Sequence, residues 1–360
     1  MRTIIIAAIT LLSIGAAPAS PKLQAARPAC AFNLPLSPAQ CARLRNGGGS
    51  PGASWFSASR SATLLYTSDL LVAAVDVWTV GRTLKSSGRL GLASGSVPLG
   101  LAVDGSQNLY VAIASFSSGP EAVDVFPRGA TQPSKVYTQG LTGPEDVAVD
   151  AHGTLYVANI ANPKGGGCGQ SSGPGGSVVE YAKGSMSPTR IINDFIGCPQ
   201  AIAVDSNSNL YLTYLYYPNS GFVQSDVIEY AYKSTHGKAL GLKVAGGPDL
   251  GGVAVAPNGD IVVENVEDDA TLNQILIYPH GATKPSHTIQ YPGVGWGTGF
   301  KFFALLGNRF FAPAYILENY SYVASRPAEF AYPSGHQLLV EKSLSASRPI
   351  AYGMAVSPGK

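Results

Sequence analysis

Three polar residues stand immediately after short apolar runs that follow one pattern. Asp69 follows the run at 64–68, Asn159 the run at 155–158 and Asn265 the run at 261–264. Carboxylate and amide oxygens are ligands that Ca²⁺ and Mg²⁺ prefer. If the fold brings these run ends together, they predict a divalent-metal site. Glu264, which precedes Asn265, and Tyr214, which stands at the equivalent run end of another unit, extend the candidate ligand-binding set.

The same residue types have another common use. Asn and Asp at strand ends and turns hydrogen-bond the adjacent loop backbone and so cap it. Apart from Glu264, Asp69 is the only carboxylate in this set. Alternation of side chains along a strand can point Glu264 away from the side on which Asn265 lies. The sequence therefore favours capping over metal ligation, and both interpretations stay open.

Other catalytic arrangements find little support. The five histidines lie in turns, in glycine-flanked loops or at the start of an outer strand, at His152, His236, His280, His287 and His336. None falls among the run ends. No Gly-x-Ser-x-Gly segment precedes a candidate helix, which a nucleophile elbow requires. The sequence predicts no catalytic residue.

The elements that must position these residues form a repeat. Residues 144–159 contain two apolar runs joined by a polar turn with Asp150 and Gly153. Such short runs bounded by turn formers predict a β-hairpin rather than a helix. Equivalent turn positions recur 46 to 55 residues apart, at Asp104, Asp150, Asp205, Ala256, Leu305 and Ser357.

A third apolar run in each unit ends in an aromatic residue, and a fourth short run follows it in several units. The aromatic residues are Trp78, Phe126, Tyr181, Tyr230, Tyr278 and Phe330. Four strands in roughly 50 residues are typical of a β-propeller blade. The last copy, from Tyr352, stops after one strand, and the first copy starts at a second strand. We expect these two ends to pair and close a six-bladed ring without free edges.

Composition agrees with this fold and excludes some partners. Charged residues make up 13% of the chain, the net charge is +2, and 42 Gly and 26 Pro accompany 45% hydrophobic residues. Turn-rich and apolar composition indicates many short strands rather than disorder. The low content of charged residues and the small net charge give no sign of the basic face that nucleic-acid binding requires. No apolar run is long enough to span a membrane. We expect a monomer.

The N-terminal region has features of export. Residues 1–19 combine Arg2, an apolar stretch and a small-x-small site at Ala17–Ala19, which is typical of a secretory signal peptide. Residues 20–60 read as a Gly/Pro/Ala-rich extension, and the propeller occupies 61–360. The expected location is secreted, periplasmic or at the cell surface.

Four cysteines in an exported chain favour two disulfides. Three pairings are possible, and the pairs that are near in sequence are preferred. These are Cys30–Cys41 and Cys168–Cys198.

The repeat also resembles a known group. Residues 98–112, 144–159 and 199–213 resemble the NHL repeat and the related six-bladed propellers of the SMP-30/gluconolactonase and streptogramin-lyase type. The resemblance runs from residue 61 to the C terminus. It implies that the first strand of each blade is innermost and that ligands lie at a mouth of the central channel. The lactonase-type relatives hold a divalent metal there with Glu, Asp and Asn.

Two functions follow as expectations. The first is a non-catalytic binding or scaffold module for a protein, glycan or small-molecule ligand, with no cofactor firmly implied. The second is a divalent-metal-dependent lactonase or hydrolase with Asp69, Asn159 and Asn265 as ligands to Ca²⁺ or another divalent metal. A streptogramin-type lyase has the least support, because the chain offers no matching histidine.

Overall fold

The computed structural model describes residues 38–45, 53–59, 61–115, 121–160, 175–195, 197–216, 224–244, 250–265, 272–292, 303–318, 321–340 and 351–359. Within them, strands form six small antiparallel sheets, and one short helix, α1 (Pro38–Arg45), precedes the strands. The predicted six-bladed β-propeller is confirmed. Among these residues no helix has the length and apolar character needed to cross a bilayer.

The sheets are numbered here as blades 1 to 6 in chain order. Blade 1 consists of β1 (Trp55–Phe56), β2 (Thr63–Asp69), β3 (Ala74–Val80), β4 (Leu84–Gly91) and, from the other end of the chain, β25 (Ala351–Ser357). Blade 2 consists of β5 (Val97–Val103), β6 (Leu109–Ala114), β7 (Ala122–Phe126) and β8 (Lys135–Tyr137). Blade 3 consists of β9 (Pro144–Val149), β10 (Leu155–Asn159), β11 (Ser177–Tyr181) and β12 (Arg190–Ile192).

The remaining blades repeat this order. Blade 4 consists of β13 (Cys198–Val204), β14 (Leu210–Tyr216), β15 (Gln224–Tyr230) and β16 (Lys238–Ala239). Blade 5 consists of β17 (Leu250–Val255), β18 (Ile261–Asn265), β19 (Leu272–Tyr278) and β20 (His287–Pro292). Blade 6 consists of β21 (Ala304–Leu306), β22 (Arg309–Glu318), β23 (Ser321–Ala331) and β24 (Gln337–Val340).

The ring closes as the sequence predicts. Strand β25 pairs antiparallel with β2, from Leu64 opposite Ser357 to Asp69 opposite Ala351. The inner strand of blade 1 therefore comes from the C terminus and its other strands from the N-terminal part. The short β1 adds a fifth strand to the outer edge, with Trp55 opposite Arg89. Part of the predicted extension thus belongs to blade 1.

The turn chemistry of the hairpin is as predicted. The Asp150 Oδ1 atom accepts hydrogen bonds from the backbone N–H of His152 (2.9 Å) and Thr154 (2.8 Å), and Gly153 has φ +82°. Asp104 and Asp205 accept the same two backbone bonds in blades 2 and 4, at 2.8 to 2.9 Å. These aspartates are turn residues.

The six aromatic residues that end the third strands are all buried, at 7% exposure or less. Their polar atoms hold neighbouring segments: the Tyr230 hydroxyl donates to Asp194 (2.8 Å) and the Tyr278 hydroxyl to the carbonyl of Lys243 (3.1 Å). The apolar clusters lie between adjacent blades, so each blade is stabilised chiefly by its neighbours.

The predicted turn of blade 6 is wrong by two residues. The sequence predicts the turn at Leu305, but Leu305 lies within β21, opposite Phe310. The turn falls at Gly307 and Asn308, and Gly307 has φ +58°. A two-residue hairpin replaces the longer turn of the other blades, so spacing alone misplaced it.

The turns of blades 2 and 4 carry a strained residue. Gln107 (φ 67°) and Ser208 (φ 64°) occupy the position that Gly153 holds in blade 3. A side chain with positive φ costs roughly 1–2 kcal/mol. Ser208 is also buried, and its hydroxyl has no hydrogen-bond partner among the described residues.

We therefore expect Ser208→Gly to raise the free energy of unfolding by about 1 kcal/mol, because it removes both costs and adds only the entropy of glycine. The matched Gly153→Ala change should lower the free energy of unfolding by about 1 kcal/mol, because alanine is strained at positive φ. The new Cβ adds little further cost, since it would meet only the flexible Lys183 side chain at 3.2 Å. Urea unfolding of both variants measures the difference. A loss of stability in Ser208→Gly would contradict this account.

Candidate functional site

The structure places the three predicted metal ligands at one end of the ring, in alternate blades. Asp69, Asn159 and Asn265 each end a second strand, opposite Ala351, Pro144 and Leu250 at the start of an inner strand. All three are 1% exposed or less. They therefore lie within the strand layer, one strand out from the axis.

Asp69 already has a cationic neighbour. Its Oδ1 atom accepts a hydrogen bond from the Leu71 backbone N–H (3.0 Å), and its Oδ2 atom lies 3.8 Å from Nη2 of Arg89. The same guanidinium binds both oxygens of Asp76, at 2.7 and 2.9 Å. An additional cation at Asp69 would have to compete with this arginine.

Asn159 is a capping residue. Its Oδ1 atom accepts from the Thr142 N–H (3.2 Å), and its Nδ2 atom donates to the Gly140 carbonyl (3.0 Å) and the Ser177 hydroxyl (3.4 Å). Both amide atoms are thus used to fix the loop before blade 3. These contacts favour the capping interpretation for this position.

The other predicted site residues differ in burial. Glu264 and Asn265 are fully buried, and both make further polar interactions. Tyr214 is half-buried opposite Asp226. Burial, with a smaller contribution from the Asp226 carboxylate, raises the pKa of the Tyr214 hydroxyl. In the described parts of the chain, no three His, Cys, Asp or Glu side chains are grouped to hold a metal.

The cysteines are described only in part. Cys41, in α1, and Cys198, at the start of β13, are buried and carry no free thiol. Cys41 belongs to the same buried cluster as Leu70 and Leu71, so α1 packs on the propeller. Cys30, Cys168 and the signal segment lie outside the described residues, and the two pairings stay predictions.

Sequence analysis missed the polar groups near the axis. In blades 1 to 5 the inner strand has a bulge at its start, and Glu145, Gln200 and Tyr352 stand at equivalent bulged positions. Bulges redirect side chains. The Tyr352 hydroxyl donates to Oε1 of Glu145. Strands β25 and β9 flank β5, so this bond crosses the inner surface of blade 2.

Glu145 is a buried acid with a raised pKa. Burial raises the pKa of its carboxyl to about 8, against the lowering effect of the Tyr352 hydrogen bond, and the nearby Asp146 raises it further. Its Oε2 atom has no hydrogen-bond partner among the described residues. The signal for this position was present in the sequence, where an acidic pair follows Pro144 in a run that is otherwise apolar.

A folded-state pKa above the unfolded value means that the folded state binds more protons, so stability is lost as pH rises from about 4.5 to about 8. We expect Glu145→Gln, which stays neutral, to be more stable than the natural protein at about pH 8, by a few kcal/mol, and to show little advantage near pH 4.5. Urea unfolding across this range measures it. A constant difference between the two proteins would show that Glu145 does not titrate in this way.

A cleft of about 690 Å³ lies between blades 1 and 2. Blade 1 and the segment after it supply one wall, and β7, β8 and the turn between them supply the other. The lining residues include Ser54, Ala93, Ser96, Asp124 and Val136. Typical ligand pockets have volumes of about 300–1,000 Å³, so the cleft is large enough for a small molecule or a few side chains.

Two polar groups of this cleft lack a protein partner among the described residues. Ser96 is fully buried, and its hydroxyl has no hydrogen-bond partner within the described chain. Asp124 is half-buried, and its carboxylate forms no hydrogen bond or ion pair with a described residue. Burial raises the pKa of Asp124 to about 6. The sequence showed both residues but gave no sign that they share a cleft.

A second cleft, of about 530 Å³, lies between the turns of blades 4 and 5. Asp205 and His280 are among its lining residues. The Asp205 carboxylate is already used by the turn, through the N–H groups of Asn207 and Asn209. The cleft between blades 1 and 2 is therefore the better candidate for ligand binding.

Comparisons with known proteins support the fold. A family model described as strictosidine synthase-like, N-terminal, matches residues 133–160, which contain the hairpin of blade 3. No curated protein matches the chain. The chain is a six-bladed β-propeller. The finer resemblance to NHL and SMP-30 propellers stays a prediction.

Two solved structures are similar to it. One is hydrazine synthase of Kuenenia stuttgartiensis, with 16% identity, a TM-score of 0.50 and coverage of 78% of this chain and 77% of that one. The other is a Bacteroides caccae protein of unknown function, with 12% identity, a TM-score of 0.56 and coverage of 82% and 99%. At such identities the likeness concerns the fold and not the activity.

Proposed function

We propose that this propeller is an exported, non-catalytic binding module for a protein or glycan ligand, and that its ligand site is the cleft between blades 1 and 2. The observation that carries the proposal is that two polar groups lining that cleft, Ser96 and Asp124, have no hydrogen-bond or ion-pair partner among the described residues. The turn aspartate Asp150 and the loop cap Asn159, in contrast, already serve the fold.

The axis supports the same choice. In many propellers the channel mouth is the place for chemistry, but here the Tyr352–Glu145 hydrogen bond crosses the inner surface of blade 2. Both side chains are buried, at 1% and 2% exposure. A substrate at this level would have to displace that bond. The inter-blade cleft needs no such rearrangement.

The competing proposal is a metal-dependent lactonase or hydrolase that uses Asp69, Asn159 and Asn265. Its support is the common end of the ring at which the three residues lie. The contacts of Asp69 with Arg89 and of Asn159 with loop backbone count against it. We therefore rank it second.

A thermal shift experiment separates the two proposals. A bound ion raises the melting temperature by mass action on the native state. We expect Ca²⁺ and Mg²⁺ to leave the melting temperature of the mature protein unchanged. A rise with Ca²⁺ that Asp69→Asn abolishes, together with hydrolysis of a lactone or ester panel, would replace the binding proposal with the enzyme.

The cleft itself is tested by filling it. Ala93 is exposed and lines the cleft, so Ala93→Trp should occupy the space without disturbing the core. The matched control is Ala182→Trp, at an exposed position of blade 3. We expect binding to peptide and glycan arrays to be lost in Ala93→Trp and kept in the control. A ligand that Ala93→Trp still binds as tightly as the natural protein would place the site elsewhere.

A further inference from the structure

The repeat itself shows what an aspartate at the position of Asp124 requires. Asp76 is its equivalent in blade 1, two residues before the aromatic end of the third strand. Asp76 lies opposite Arg89 on β4, and the guanidinium binds both carboxylate oxygens, at 2.7 and 2.9 Å. This is the bidentate geometry in which arginine binds a carboxylate best.

Blade 2 keeps the carboxylate and lacks the cation. The residue opposite Asp124 on β8 is Val136, which is exposed. No charged residue other than Asp124 is among the described residues that line the cleft. The space that the Arg89 guanidinium fills in blade 1 corresponds in blade 2 to part of the open cleft.

The other blades fill this position with apolar side chains. The equivalents of Asp124 are Val179, Ile228, Leu276 and Ala328. The fold thus does not need a carboxylate here, and a half-buried carboxylate without a partner lowers stability. A group that the fold does not need, kept at a cost and facing a cleft, is the mark of a ligand contact.

We propose that the cleft between blades 1 and 2 binds an organic cation, a guanidinium or a primary amine, which takes the place relative to Asp124 that Arg89 has relative to Asp76. Ser96, whose buried hydroxyl has no hydrogen-bond partner among the described residues, lines the same cleft. This inference rests on the proposed binding function and names the chemistry of its ligand.

The cation has two sources, a free small molecule or the arginine or lysine side chain of a protein ligand. The probes are agmatine as the free cation, a pentapeptide with one central arginine between glycines, and the same peptide with citrulline, which is neutral and almost isosteric. Calorimetry at about pH 8, where Asp124 is ionised, measures affinity for each. We expect the arginine peptide to bind, and the citrulline peptide to bind roughly tenfold more weakly or not at all.

The variants locate the effect. Asp124→Asn keeps the shape and removes the charge, so binding of both cations should fall by roughly tenfold or more. Val136→Arg supplies in cis the guanidinium that blade 1 has, so it should block binding and raise the melting temperature. Glu229→Gln, on β15 of blade 4, makes the same change in net charge and should leave binding unchanged.

A pH series gives an independent readout. Among the described residues that line the cleft, Asp124 is the one ionisable group, so its protonation should control binding. Affinity should fall as pH drops through about 6, where the carboxyl becomes neutral. This pH dependence should disappear in Asp124→Asn.

The outcomes are distinct. Tighter binding of the arginine peptide than of agmatine identifies a protein segment as the source, and equal binding identifies a free cation. If neither cation binds at millimolar concentration, or if Asp124→Asn binds them as well as the natural protein does, the cation proposal is overturned. The proposed function then survives if the array ligand remains sensitive to Ala93→Trp, and fails with it if that ligand is insensitive.

Discussion

The convergence of six inner strands on one axis sets the limits for the rest of this molecule. A Cβ atom at Gly353 would lie 2.2 Å from the Leu99 carbonyl oxygen, and one at Gly100 would lie 2.1 Å from Oδ1 of Asp146. Contacts this short cannot be accommodated when the obstacle is backbone. At these two positions the neighbouring strand lies too close for a side chain, and beside Gly100 the space is taken by the Asp146 side chain.

This constraint explains the buried acidic residues near the axis. The Asp146 side chain occupies the space beside Gly100, and its Oδ2 atom accepts the Ile202 N–H (2.9 Å) of the next blade. Gly353 lies between the residues of blade 2 and the Ser68 side chain. Its backbone N–H donates a hydrogen bond to the Ser68 hydroxyl (2.6 Å). These side-chain bonds replace ladder bonds that the bulges interrupt. The acidic side chains near the axis, Asp146 and Glu145, thus form hydrogen bonds between blades.

Much of the fold could be predicted because each feature recurs in several copies of the repeat. The turn at Asp150, the aromatic residue at the end of each third strand and the pairing of the chain ends all follow from local pattern and period. The prediction failed at Leu305, where a shorter hairpin keeps the period but moves the turn. The period measures the length of a blade, and it does not fix where a turn lies within that blade.

The candidate site was harder to predict, because it depends on which residues face each other across strands. Asp76 and Asp124 occupy the same place in nearly identical runs, and in the sequence they look alike. Only the register shows that Arg89 lies opposite the first and Val136 opposite the second. Likewise, Asp69 and Asn159 have the residue types of a metal site, but their neighbours use them as an ion-pair partner and a cap. Residue type identified which side chains could act, and cross-strand partners decide which of them the fold has already used.

A repeat protein offers an internal test of function that a single-copy fold lacks. Each position can be compared with its equivalents in the other five blades, where the packing is nearly the same. The residue types at those equivalents show what the fold itself requires at the position. At the turn position an aspartate in three blades makes the same bonds, which marks it as structural. At the position of Asp124 four blades are apolar and one adds a matching arginine, which marks the unmatched carboxylate as serving something outside the fold. The strength of this argument lies in the physical cost: partly desolvating a carboxylate without a counter-ion opposes folding, and a cationic ligand in the adjoining cleft would supply that counter-ion.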